Sequence, residues 1–207
     1  VAGLTTAKVL QEHGREAIVL EANARIGGRT STVDLDGAGV DEGAVWLDGL
    51  KGNPLVDWCE QAGLETVRAD YVEPLHVAAF DSSRGGWVEA TWAGTVDELG
   101  PHAAEIGERY PGGETAIVGG YRRLVETLAH ELDIRLEHPV TAVRHGDGRV
   151  AVATPHGVFA GSHVVVTVPL GVLKAGSITF DPELPADKRS AIDRIGMGTV
   201  EKVILRF

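Results

Sequence analysis

The spacing of apolar residues changes within the first twenty positions. Leu4, Ala7, Val9 and Leu10 form one buried stripe, which predicts a helix over residues 3–13 that Gly14 stops. Ala17-Ile18-Val19-Leu20 is a continuous apolar run instead. It predicts a short strand, buried on both faces, that ends at Glu21. Asn23 to Arg29 is a predicted loop containing Gly27-Gly28. Thr30 to Leu35 alternates weakly and runs into a hairpin-type turn at Asp36-Gly37. A second glycine-rich passage spans Gly37 to Gly52. Asn53-Pro54 then opens a helix that carries Leu55, Val56, Trp58 and Cys59 and closes at Gly63.

Residues 65–113 are the least periodic part of the chain. They suggest a hairpin around Asp81 to Gly86, a polar helix from Val96 to Glu108 and a loop at Pro111-Gly112-Gly113. Periodicity returns with a helical stripe of Leu124, Val125, Leu128 and Leu132 after Tyr121. Short strands follow at 134–136, 140–143, 150–154 and 158–159, with hairpin signals at His145 to Gly148 and Pro155 to Gly157. Val164 to Val168 has the pattern of a buried strand, Lys188 to Arg194 that of a short helix, and Val200 to Phe207 alternates as a strand.

Composition removes several classes of function. Thirty acids against nineteen Lys and Arg give a net charge of −11, which makes phosphate-backbone or anionic-membrane binding a poor fit. A single cysteine, Cys59, excludes an internal disulfide framework and a multi-cysteine metal site, and it is expected as a small buried apolar residue. No apolar stretch approaches the roughly 20 residues of a spanning helix. The N-terminus lacks the basic region of a secretory signal, so the expected compartment is the cytoplasm, for a chain that begins inside a larger unit. Glycine, 27 of 207 residues, is well above the usual ~7% and has no period, which points to tight turns and close backbone approaches.

The first thirty residues have the pattern of the second half of a nucleotide-binding βαβ unit. Gly3 would be the last glycine of a phosphate-binding turn, at a helix N-terminus that offers N–H donors. Glu21, after the strand, is equally a ribose-binding acid or a solvated residue at a strand end. Four residues on, Arg25-Ile26-Gly27-Gly28-Arg29-Thr30 adds a glycine pair that lets the chain pass close to a ligand. In the same motif Arg29 brings a planar charged fork suited to pyrophosphate.

Together, V-L-E-A-N-A-R-I-G-G-R-T at 19–30 resembles the signature of the flavin-dependent amine oxidases, a family that includes monoamine and polyamine oxidases and flavin-type histone demethylases. V-D-E-G-A-V-W-L-D-G-L-K-G-N-P-L at 40–55 is similar to the stretch that passes beside the flavin ring in that family. H-P-V-T-A-V at 138–143 resembles the strand at the adenine end, and V-V-V-T-V-P-L-G-V-L-K at 164–174 the turn toward the substrate domain. I-G-M-G-T-V-E-K-V-I-L-R-F at 195–207 is similar to the strand carrying the active-site lysine. The resemblance implies FAD as cofactor, contacted by Gly3, Glu21, Asn23, Gly27, Gly28, Arg29, Gly43, Ala44, Val45 and Trp46, and by Val140 through its backbone. It implies Lys202 as the lysine that holds a water near the flavin, and a small-molecule amine and O₂ as reactants.

At the substrate end, the arginine that carboxylate-binding relatives carry in the second glycine passage is absent. Asp48 stands where polyamine oxidases have an acid or a histidine. It is either a partner for a distal ammonium or a turn aspartate ahead of Gly49. The interval before Gly119-Gly120-Tyr121 is shorter than the family's helical block. The expected fold is α/β: a Rossmann-like FAD-binding domain with a parallel sheet and a small antiparallel meander, plus part of a mixed α+β substrate domain. The expected segments are 1–64 and 114–175 for the cofactor, and 65–113 and 176–207 for the substrate. The alternatives are a related FAD desaturase or protoporphyrinogen oxidase type, and a non-catalytic chain.

Overall fold

In a computed structural model the described residues are 1–68, 110–198 and 202–205. The expected hairpin at 81–86 and helix at 96–108 lie outside them. The described chain forms two compact units. One comprises residues 1–31 and 122–195, the other residues 32–121 and 196–207.

The first unit opens with α1 (Ala2–Glu12), followed by β1 (Ile18–Leu20). Its second segment holds α3 (Arg122–Ala129), β7 (Asp133–Arg135), β8 (Ala142–Gly146), β9 (Arg149–Thr154), β10 (Gly157–Gly161), α4 (Leu170–Lys174), β11 (Thr179–Asp181) and α5 (Ala186–Arg194). β1 and β7 pair in parallel, with Val19 opposite Ile134. The connection between α1 and β1 is the helix-to-strand step of a nucleotide-binding unit, as the apolar pattern anticipated. Leu4 and Ala7 of α1 are buried, as are Leu124, Val125 and Leu128 of α3, and the two helices pack together. Each fully buried leucine contributes about 1.5–3 kcal/mol.

The predicted meander forms as β8-β9-β10, joined by the tight turns at Asp147-Gly148 and Pro155-His156. β11 extends it in parallel beside β8, a strand too short and too polar to announce itself. Two expectations fail here. Val164 to Val168 is not a strand, and Val165 is 59% exposed. Ile18 of β1 is 52% exposed rather than buried on both faces. Both failures have one cause. A continuous apolar run is buried only where strands and helices cover it, and β1 has a strand on one side only among the described residues.

The second unit holds β2 (Thr32–Leu35), β3 (Ala38–Asp41), β4 (Trp46–Asp48), α2 (Pro54–Gln61), β5 (Thr66–Arg68) and β6 (Glu114–Ile117). β2 and β3 make a hairpin whose turn residues, Asp36 and Gly37, both have positive φ. β4-β6-β5 is an antiparallel sheet. Asn53 caps α2 by accepting from the Leu55 N–H at 3.0 Å, with Pro54 as first helical residue. Cys59 is buried as expected. The strand expected over 200–207 is not seen at 202–205, where Val203 and Leu205 are exposed. No described strand pairs with that stretch, so alternation alone does not order it.

Candidate functional site

In the first unit Gly3 lies in the first turn of α1. No side chain caps that helix, so its first N–H groups remain available. Gly3 lies against Thr167: a Cβ there would fall 2.9 Å from Thr167 Oγ1.

Glu21 is shaped by its neighbours. Its Oε1 accepts from the Asn23 backbone N–H at 2.9 Å and from Asn23 Nδ2 at 2.7 Å. The Glu21 carbonyl accepts from the His138 N–H at 2.8 Å, and the Asn23 carbonyl from the Glu137 N–H at 3.0 Å. These bonds tie the loop at 21–23 to the segment leading into Val140.

The two arginines of the Gly-Gly loop divide their work. Arg25 donates to the carbonyls of Ile26, Gly28 and Thr30 at 3.0–3.3 Å and so wraps the loop. Thr30 Oγ1 donates to the Gly27 carbonyl at 2.8 Å. Gly27 has φ 103°, and a Cβ there would lie 2.6 Å from the Thr30 carbonyl oxygen, so only glycine fits this turn. Arg29 is exposed and makes no hydrogen bond or ion pair among the described residues. An uncapped helix end, an oriented acid, an open glycine at position 28 and an uncommitted guanidinium match the phosphates and ribose of a dinucleotide. The residues present therefore fit FAD.

The second unit carries the remaining predicted residues. A cavity of about 630 Å³ is lined by Asp41, Gly43, Ala44, Val45, Trp46 and Lys202 among others. Lys202 Nζ donates to the Asp41 carbonyl at 2.7 Å and to the Gly43 carbonyl at 2.8 Å. Asp48 does not line the cavity. It shares a sheet face with Trp46, two residues earlier, and stands opposite Glu114, just as Trp46 stands opposite Ala116 of the cavity wall. Its backbone carbonyl accepts from Asn53 Nδ2 at 3.0 Å. Tyr121 is buried, and its hydroxyl pKa is pushed up to about 12, by burial first and then by Cys59, Asp48 and Asp41.

Sequence reasoning missed Asp41, Glu114 and Arg25. The signal for Asp41 was present in the quoted 40–55 stretch, but nothing local distinguishes it from Glu42. Glu114 becomes visible only through strand register.

The sequence model of the family described as "Flavin containing amine oxidoreductase" matches residues 1–106 and 105–207. Polyamine oxidase 2 of Arabidopsis thaliana is 29% identical over a 276-residue match that takes in 99% of this chain and 56% of that protein. Probable polyamine oxidase 4 of the same plant is 30% identical, over 100% of the chain and 56% of its own length. Human lysine-specific histone demethylase 2 is 27% identical, with 33% of its length covered. The chain thus spans little more than half the length of the polyamine oxidases it matches. Among solved structures, cyclohexylamine oxidase from Brevibacterium oxydans superposes with a TM-score of 0.65 at 20% identity, over 92% of this chain and 60% of that one. A putrescine oxidase redesigned in its cofactor binding gives 0.65 at 17% identity over the same shares. These two show the fold, an α/β architecture. With the family match covering its whole length, the chain belongs to the flavin containing amine oxidoreductases, and its cofactor is FAD.

Proposed function

We propose that the complete protein oxidises the C–N bond of an amine to an imine and passes the two electrons to O₂, giving hydrogen peroxide. A diamine or polyamine is the favoured substrate class. The observation that carries this reading is the Lys202 ammonium, held by two backbone carbonyls at the wall of a cavity that Trp46 also lines. FAD, when bound, supplies the acceptor of the hydride equivalent and the path to oxygen.

The chain's own residues divide the remaining tasks. Gly3, Glu21, Asn23, Gly27, Gly28, Arg29 and the Val140 backbone are proposed for the nucleotide portion. Gly43 to Trp46 are proposed for the reacting portion. Lys202 holds a proton-bearing donor at Nζ that orients water there. Asp48, with Glu114 opposite it on the same sheet face, concentrates negative charge one register step from the cavity wall. A distal ammonium of a polyamine would pair with a carboxylate there. The amine reacts as the neutral base, which a poorly hydrated site favours. Segments 1–64 and 114–175 are proposed to serve the cofactor, and 65–113 and 176–207 the substrate.

The test is anaerobic. The full-length flavoprotein is mixed with putrescine, spermidine, spermine and benzylamine, and the flavin absorbance is followed before air is admitted and peroxide measured. Bleaching by the di- and polyamines, with peroxide on aeration, is expected. A bound flavin that none of the amines bleaches overturns the reading in favour of a desaturase-type enzyme. Failure to bind flavin at all overturns it in favour of a non-catalytic chain.

A further inference from the structure

Asp41, at the end of β3, is used at both its side chain and its backbone. Its carboxylate accepts from the Thr32 hydroxyl and from the Tyr121 backbone N–H, the latter at 3.0 and 3.1 Å to its two oxygens. Its carbonyl accepts from Lys202 Nζ at 2.7 Å. One residue therefore joins three parts of the chain that are 80 and 161 positions away at the far ends.

The fit around it is close. Gly120 has φ 93°, and a Cβ there would meet Thr32 Cγ2 closer than real Cβ contacts come, with Asp41 Oδ1 at 3.1 Å. A Cβ on Gly39 would lie 2.5 Å from the Gly119 carbonyl oxygen. Charge-assisted bonds to a carboxylate are the strong ones, so the Gly119-Gly120-Tyr121 turn is fastened to the end of β3. That fastened end also presents the Asp41 and Gly43 carbonyls to Lys202.

Among the described residues, the Lys202 side chain is held by these two bonds. Residues 202–205 are in no strand, so ladder bonds do not place the lysine backbone. Its ammonium has three donors, and two are committed to Asp41 and Gly43. Fixing two N–H directions of a tetrahedral ammonium fixes the third. We propose that Asp41 is the positioning residue for Lys202: its carboxylate pins the turn to the end of β3, and the pinned carbonyls aim the remaining Lys202 N–H into the cavity. This rests on the proposed role of Lys202 in amine oxidation.

The experiment compares Asp41→Asn, Lys202→Met and the double variant in the full-length holoenzyme by stopped flow, with putrescine as substrate. Asp41→Asn is expected to slow the half-reaction that Lys202→Met slows, by roughly tenfold, within the range seen for networked neighbours. KM should be little changed, and the double variant should be no slower than Lys202→Met alone. Rate losses that multiply in the double variant overturn the proposal, because a merely structural aspartate acts independently of the lysine. A second readout is independent of activity: the Lys202 ammonium resonance and the Tyr121 amide exchange rate in the flavin-free protein. Asp41→Ala is expected to abolish the first and speed the second, and Thr32→Val is expected to do both more weakly. If Lys202→Met leaves both half-reactions unchanged, the functional reading of Lys202 falls, and the resonance alone decides the positioning claim. Its survival in Asp41→Ala overturns that claim.

Discussion

The two units are assembled by different kinds of contact. In the first, the candidate-site side chains are oriented locally, with Glu21 held by Asn23, two residues away, and Arg25 wrapping carbonyls within five residues, while backbone bonds to residues 135–138 reach across the chain. In the second, the comparable organisation spans the chain, with Tyr121 bonded to Asp41 across 80 positions and Lys202 to Asp41 across 161. The first arrangement tolerates change one residue at a time. The second concentrates its dependence on a few crossing points, so a single methyl group there should do more harm than a lost side chain in the first.

The sharpest way to break this comparison is to add the same methyl in both places. Gly120→Ala combines positive φ with a clash against Thr32 and should lose roughly 3 kcal/mol or more. Gly28→Ala has φ 61° but nothing within 4 Å and should lose about 1 kcal/mol. Thermal or urea melts of the two variants measure this, and equal losses would end the contrast. Next in size, Arg29→Ala should weaken FAD binding by about ten- to a hundredfold, as expected for lost charged hydrogen bonds. Its melting should hardly change, because Arg29 is exposed and makes no hydrogen bond or ion pair among the described residues. Titration with FAD, alongside a melt of the flavin-free protein, separates these two effects.

A smaller effect belongs to Asp48. Asp48→Asn should raise KM for a diamine or polyamine several-fold more than for a monoamine, the loss of one charge-assisted bond being partly screened at an exposed site. Equal changes in KM for both substrates would remove Asp48 from the substrate site and leave it a turn residue. The smallest effect is confined to alkaline solution. Tyr121 has a folded pKa of about 12 against an ordinary 10.0, so folding favours its protonated form. The stability that this difference contributes is fully present below pH 10 and is lost as pH rises through about 12. Tyr121→Phe should flatten that fall in urea-melting midpoints measured across the alkaline range.

The same contrast explains what the sequence made legible. The helix and strand at 2–20, the Gly27-Gly28 loop and the β8-β9-β10 meander follow from spacings within a few residues, and they form where expected. Asp36-Gly37 announced its own turn. Val164 to Val168 misled because burial of an apolar run is decided by neighbouring strands, which the run does not encode. β4, β5 and β6 were missed because each is three or four residues long and gains its order from pairing across dozens of positions. Lys202 was found through resemblance, whereas the reason it sits where it does, Asp41 and the turn at 119–121, appears only when distant positions are brought together.

Lys202 is therefore the residue on which the account turns, and the most direct measurement is rapid kinetics of Lys202→Met in the complete flavoprotein with putrescine. The account predicts that FAD stays bound with an intact spectrum while flavin reduction or reoxidation is slowed at least tenfold. Wild-type rates in both half-reactions would contradict it and leave Lys202 an ordinary surface lysine.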